Sequence, residues 1–198
     1  MTARPRKATD DEIFAAVQRV ISRLGPAQVT LSEIAEEAGV TASALVQRFG
    51  SKRELLLAFT ALAPAAARHL FVRLRAESGS PLSAVRAYAD CMAGMAETPE
   101  SLAHHLGYLQ LDIGDPEFRA HVGEQARLTD EAITALLAEA VAAGELAEGT
   151  DVARLSRAVQ AVVGGSLFSW AFRPEGSAAD HVRADLETVL APHLKSAD

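Results

Sequence analysis

Three times in its first 54 residues the chain sets a Thr or Ser three positions ahead of a Glu: Thr9 with Glu12, Thr30 with Glu33, and Ser51 with Glu54. This is the spacing of a capping box, in which the hydroxyl accepts the backbone N–H three residues on and the carboxylate reaches back. Each pair fixes where a helix starts. The first helix follows Thr9 and carries Ile13, Val17, Val20, Ile21 and Leu24 on one apolar face before Gly25-Pro26 breaks it. The second begins at Leu31 and stops at Gly39, because glycine enters the left-handed region at least cost. Thr41 caps a third from Ala42 to about Phe49, and a fourth opens at Lys52.

Two short helices joined by so tight a turn form a helix-turn-helix. Ile34, Ala35, Ala38, Val40, Leu45 and Phe49 supply a small core with Leu31 and the first helix, while Ala42, Ser43, Ala44, Gln47 and Arg48 fall largely outside it. Small residues at the front of a helix let it sink into a major groove, where Gln47 suits adenine edges and Arg48 suits guanine edges or phosphate. The alternative is a surface helix of an ordinary bundle.

Residues 9 to 58 resemble the N-terminal domain of the TetR family of bacterial transcriptional regulators. The likeness is carried by Thr30-Leu31-x-x-Ile34-Ala35-x-x-Ala38-Gly39-Val40, then Ser43-Ala44-Leu45, then Phe49-x-Ser51-Lys52-x-x-Leu55-Leu56. It departs at Val46, where the family usually places an aromatic, and at Arg48, where Tyr or His is common. The resemblance implies phosphate contacts from Thr30 and Ser32 and groove-facing roles for Thr41, Ala42, Ser43 and Gln47. It implies a phosphate held by Lys52 at a helix N-terminus, where dipole and ammonium favour the same anion. The alternative for single residues of this set is a plain cap or a solvated charge. Beyond residue 60 the likeness is one of length and helical pattern, which implies an effector-binding and dimerisation domain with no named ligand.

The charge distribution fits that division. The net charge is −7, but residues 1 to 60 hold eight Lys or Arg against seven Asp or Glu, and residues 61 to 198 hold eleven against nineteen. Arg4, Arg6 and Lys7 form a short basic arm able to reach phosphates or a minor groove, or simply a solubilising tail. The N-terminus has no apolar signal core and no stretch approaches the ~20 uninterrupted apolar residues of a membrane span, so the expectation is a cytoplasmic protein with no membrane partner. Cys91 is the single cysteine, which excludes an intrachain disulfide. No cofactor and no metal are expected: His104, His105, Asp112, Asp115 and His121 match no ligand spacing, and no Gly-rich phosphate loop or nucleophile elbow is present, so nothing supports an enzyme.

After Lys52 the helical period continues to the end. The fourth helix is expected to run to about Ala76, with a kink or a local break at Pro64. Ser80-Pro81, Thr98-Pro99 and Asp115-Pro116 each put a capping residue before a proline, the order favoured at helix starts. The third of these helices runs to about Gly144. Thr150 or Asp151 opens another to Phe172, and a last one spans about Ala178 to Ala191. The predicted architecture is all-α with about nine helices: a helix-turn-helix domain over 1–60 and a larger helical domain over 61–198.

The helix over 151–172 is apolar on two sides, so both must be covered. Val159, Val163, Ser166 and Trp170, with Val182, Leu186 and Val189 of the last helix, are taken as a dimer interface; the alternative is that both faces are intrachain core. Gly164-Gly165 costs helix stability and suits a close approach of two backbones. Candidate effector contacts are Tyr88, Met92, Met95, His105, Tyr108, Phe118, Gln125, Phe168 and Phe172, although such stripes also serve as plain core. The expected function is a ligand-responsive regulator of transcription. It would most readily be a repressor that binds a near-palindromic DNA operator as a homodimer and is released by a small, mostly apolar effector. The alternative is a helical small-molecule binding protein or enzyme whose helix-turn-helix no longer reads DNA.

Overall fold

The structure, a computed structural model, describes residues 8–25 and 28–195, with the backbone alone for 108–112. The basic arm, Tyr108 and Asp112 therefore lie outside what it describes. Its helices are α1 Asp10–Leu24, α2 Leu31–Ala38, α3 Ala42–Phe49, α4 Lys52–Thr60, α5 Ala63–Glu77, α6 Pro81–Ala93, α7 Pro99–Gly114, α8 Pro116–Ala142, α9 Val152–Phe172 and α10 Ala178–Leu190, followed by a 3-10 turn at Ala191–His193. Among the described residues there is no strand, only one isolated bridge between Leu146 and Leu194.

Of the two outcomes expected at Pro64, a kink or a local break, the chain takes the break, which divides the span into α4 and α5. Pro64 has no N–H to give to the Thr60 carbonyl. The chain closes a tight turn with Leu62 N–H on the Phe59 carbonyl at 3.1 Å and restarts as α5 with the proline in its first turn. By length and composition Lys52–Glu77 is apolar enough to cross a bilayer; Arg68 and His69 interrupt it and the turn divides it.

Two compact units share the chain. The first comprises the residues up to Ala63 together with Ala103–Val122, and the second comprises Pro64–Leu102 and Gly123–Asp198. The sequence boundary near residue 60 misses the segment 103–122. Phe118 explains the difference: it is wholly buried in the cluster formed by Ile13, Val17 and Val20 of α1, Ile34 of α2, Leu45 of α3 and Leu55 of α4. Arg53, at the start of α4, bonds Asp115 at 2.7 Å, also reaches Glu117, and lies 5.8 Å over the Phe118 ring. His104 of α7 places Nδ1 3.1 Å from the Ser22 carbonyl near the end of α1.

In the second unit α6, α8, α9 and α10 enclose a core that includes Val85, Ile133, Leu137, Leu155, Val159, Leu167 and Leu186. Ion pairs Arg86–Glu187 and Arg183–Asp90 join α6 to α10. The buried Ser166 hydroxyl donates to Asp185 across α9 and α10, and Ser156 donates to Asp130 of α8 at 2.8 Å. This packing corrects the expected dimer face. Val159, Val163, Ser166, Trp170, Val182 and Leu186 are all buried inside the single chain, and Val189 is half-buried. They are the α9–α10 core, not a surface offered to a partner.

Candidate nucleic-acid interface

The helix-turn-helix is set by its caps. Thr30 Oγ1 accepts the Glu33 N–H at 3.2 Å while the Glu33 carboxylate takes the Thr30 N–H at 2.9 Å, a closed reciprocal box. Gly39 ends α2 at φ 67° and ψ 31°, and Val40 N–H returns to the Ala35 carbonyl at 2.9 Å. A Cβ on Gly39 would meet nothing within 4 Å, so its left-handed backbone alone requires glycine. Thr41 Oγ1 then accepts the Ala44 N–H at 3.2 Å and lies 3.0 Å from the Ser43 hydroxyl, which starts α3 with a small polar tip.

Only Leu45 of α3 is fully buried; it anchors the helix against α1 and α2. Ser43, Ala44, Val46 and Gln47 are exposed beside Thr41, and Ala42 is half-buried. Ser43 and Gln47 stand four residues apart, hence one turn apart on one face. That face presents two small hydroxyls, a methyl and a carboxamide, groups that fit base edges in a major groove. Thr30 and Ser32 are exposed at the front of α2, and Lys52 is half-exposed in the first turn of α4 behind its Ser51 cap. The expected contacts at Thr30, Ser32, Thr41, Ala42, Ser43 and Lys52 thus fall at the starts of three successive helices, and Gln47 lies one turn further along α3.

Arg48 is different. Its guanidinium donates to the Ala8 carbonyl at 2.6 Å and pairs with Asp10 at 2.7 Å. The expectation that it reads guanine or phosphate is corrected: a guanidinium tied in this way fastens the end of α3 to the start of α1. A second tie runs from α1 to α2. Arg19 and Arg23 both bond Glu37, and the Arg19 hydrogen bond holds that carboxyl below its ordinary pKa. Neither tie is legible in sequence, because the partners lie 14 to 40 residues apart.

The expected effector contacts divide between the two units. His105 and Phe118 fall in the first unit, and Phe118 is core there. Phe168 and Phe172 are on the surface, and Met95 is exposed. Tyr88 is buried and stacks on Phe71 with ring centroids 5.3 Å apart, and burial pushes its phenol up to about 12. Met92 and Gln125 are half-buried.

Residues 13–59 match the family described as bacterial regulatory proteins, tetR family. A probable HTH-type transcriptional regulator, ArpR of Pseudomonas putida, is 27% identical over 183 residues, covering 88% of this chain and 85% of that protein. A TetR transcription regulator from Haloarcula marismortui superposes with a TM-score of 0.76 at 16% identity, over 94% of this chain and 98% of the other. FadR of Thermus thermophilus, a TetR-family transcriptional repressor solved in complex with lauroyl-CoA, gives 0.62 at 22% identity over 96% and 97%. These likenesses reach well past the helix-turn-helix into α5–α10: residues 13–59 are a helix-turn-helix DNA-binding domain of the tetR family of bacterial regulatory proteins, and the chain as a whole has the fold of TetR-family transcription regulators.

Proposed function

We propose that this regulator is a repressor that binds a near-palindromic operator as a homodimer and lets go when a small, mostly apolar effector binds. The observation that carries the reading is the exposed tip of α3, with Thr41, Ser43 and Gln47 free of the core that Leu45 anchors. Residues 1–60 act as the reader and 61–198 as the effector-binding and dimerisation part, with 103–122 packed on the reader's side. Two such readers on a two-fold axis would meet successive major grooves about 34–36 Å apart. An effector held more tightly at another spacing would shift the population away from DNA, by no more than its differential affinity. The dimer face proposed here is the exposed side of α9, in place of the buried side named from sequence. Tyr88, Met92 and Gln125 of the second unit are the effector contacts retained. The Thermus thermophilus repressor in complex with lauroyl-CoA supports an effector with a long apolar part. A cytoplasmic location goes with this role.

The test is binding of the full chain to a duplex carrying the DNA upstream of its own coding sequence. The reading predicts one protected site whose affinity falls steeply with salt as phosphate contacts release counterions. Gln47→Ala should relax preference at one base position, at a cost of about 1–3 kcal/mol there, whereas Lys52→Ala should weaken every sequence alike and flatten the salt slope by about one. Equal losses on all sequences for both variants would remove Gln47 as a base reader.

A further inference from the structure

One side chain of α3, Val46, is apolar, larger than a methyl and exposed. It is 47% exposed and stands outside both the core cluster and the half-buried residues packed on it, which include Ala42 and Phe49. On a helix turning about 100° per residue, with Leu45 pointing inward, Ser43 and Gln47 point outward, each within about 20° of the opposite direction. Val46 flanks that pair on one side and shares the flank with Ala42, one turn back. On the other side are Ala44 and Arg48, and the guanidinium is tied to the Ala8 carbonyl and to Asp10. The exposed face of α3 is therefore unsymmetrical. It has a polar ridge of Ser43 and Gln47 and, along one side only, an open apolar edge of Val46 and Ala42.

A β-branched residue in the middle of an eight-residue helix lowers its helix propensity relative to Ala, Lys or Glu, and methyl groups left in water add no burial. Valine also has no group that could bond a phosphate oxygen. The major-groove edges of the base pairs offer one apolar group, the C5-methyl of thymine. We propose, resting on the reading of α3 as the helix that enters the groove, that Val46 reads thymine. Its two methyls, with the Ala42 methyl beside them, pack on the C5-methyl of one thymine while Ser43 and Gln47 bond neighbouring base edges. The contact separates thymine from cytosine, which carries a hydrogen in place of the methyl and an amino donor in place of the O4 acceptor. It adds a base preference that the carboxamide of Gln47 does not supply, because it depends on a methyl group and on no hydrogen bond.

The experiment uses the full chain and a duplex that it selects from a random pool. Each thymine of the bound site is replaced in turn by deoxyuridine, which removes the methyl and leaves every hydrogen-bonding group in place. Affinity is read by fluorescence anisotropy for the wild type, Val46→Ala and Val46→Thr. For the wild type, at least one thymine position is expected to lose about 4-fold on replacement, the contribution of one buried methyl group. Val46→Ala should bind the thymine duplex more weakly by a similar factor, be indifferent to uridine at that position, and keep the wild-type salt slope, since no phosphate contact goes with it. Val46→Thr keeps one methyl and should fall between the two. Circular dichroism should show both variants as helical as the wild type, because the side chain is exposed. A uridine effect that persists unchanged in Val46→Ala, or a wild type to which no thymine methyl matters, would overturn the thymine contact and leave the DNA reading of α3 standing. Failure to select any duplex would overturn that reading itself.

Discussion

The short exposed helix α3 and the long helix α9 draw on opposite kinds of information. α3 is eight residues long, starts on the Thr41 cap, ends at Gly50 and rests on one buried leucine. Its start and its stop are set locally, and Leu45 with the Arg48 ties to Ala8 and Asp10 then fastens it to α1. α9 runs for 21 residues and is apolar around much of its circumference, and which side turns inward is decided by α10 and α6. Local signals settle where a helix starts and stops; for a helix apolar on two sides, only its distant neighbours settle which way it faces.

The largest expected effect separates the two faces of α9. Trp170 is buried and its Nε1–H donates to the Gly176 carbonyl at 3.1 Å. Trp170→Ala should cost about 3–5 kcal/mol of unfolding free energy, measured by urea titration, and the loss should be the same at low and high protein concentration. A loss that appeared only as weaker association, with monomer stability kept, would return Trp170 to the interface. Next comes the turn that aims α3. Gly39→Ala should cost about 1–2 kcal/mol, the penalty for an L residue in the left-handed region, because no neighbour obstructs the added methyl. A neutral result would show that α2 can end without the left-handed residue. The smallest effect is a gain: Thr60 in α4 buries a hydroxyl with no hydrogen-bond partner. Thr60→Val should stabilise the protein by about 1 kcal/mol; destabilisation would mean that the hydroxyl has a partner after all.

The same contrast explains what the sequence made legible. Helix starts at Asp10, Leu31, Ala42, Lys52, Pro81, Pro99, Pro116, Val152 and Ala178 follow from a cap, often with a proline, within the same few residues. The break at Ala61-Leu62 is visible as Pro64, although a proline announces either a kink or a break and does not say which. Phe118 could not be placed, because its partners in α1, α2 and α3 lie 69 or more positions back and nothing in its own helix distinguishes a pocket from a core. Aromatic residues at helical spacing suit burial in a pocket or core, yet Phe168 and Phe172 are exposed in this chain. Arg48 has the chemistry of a base reader, and only the Ala8 carbonyl and Asp10 show that it is occupied elsewhere.

The most direct test of the central claim, that the exposed tip of α3 is half of a paired DNA reader, is to select bound sequences from a random duplex pool with the purified full chain at near-physiological salt and without effector. A near-palindrome with two equivalent half-sites, centred about 10–10.5 base pairs apart or a multiple of that, is the result the account predicts. Recovery of no sequence above background, or of one unrepeated half-site, would contradict it.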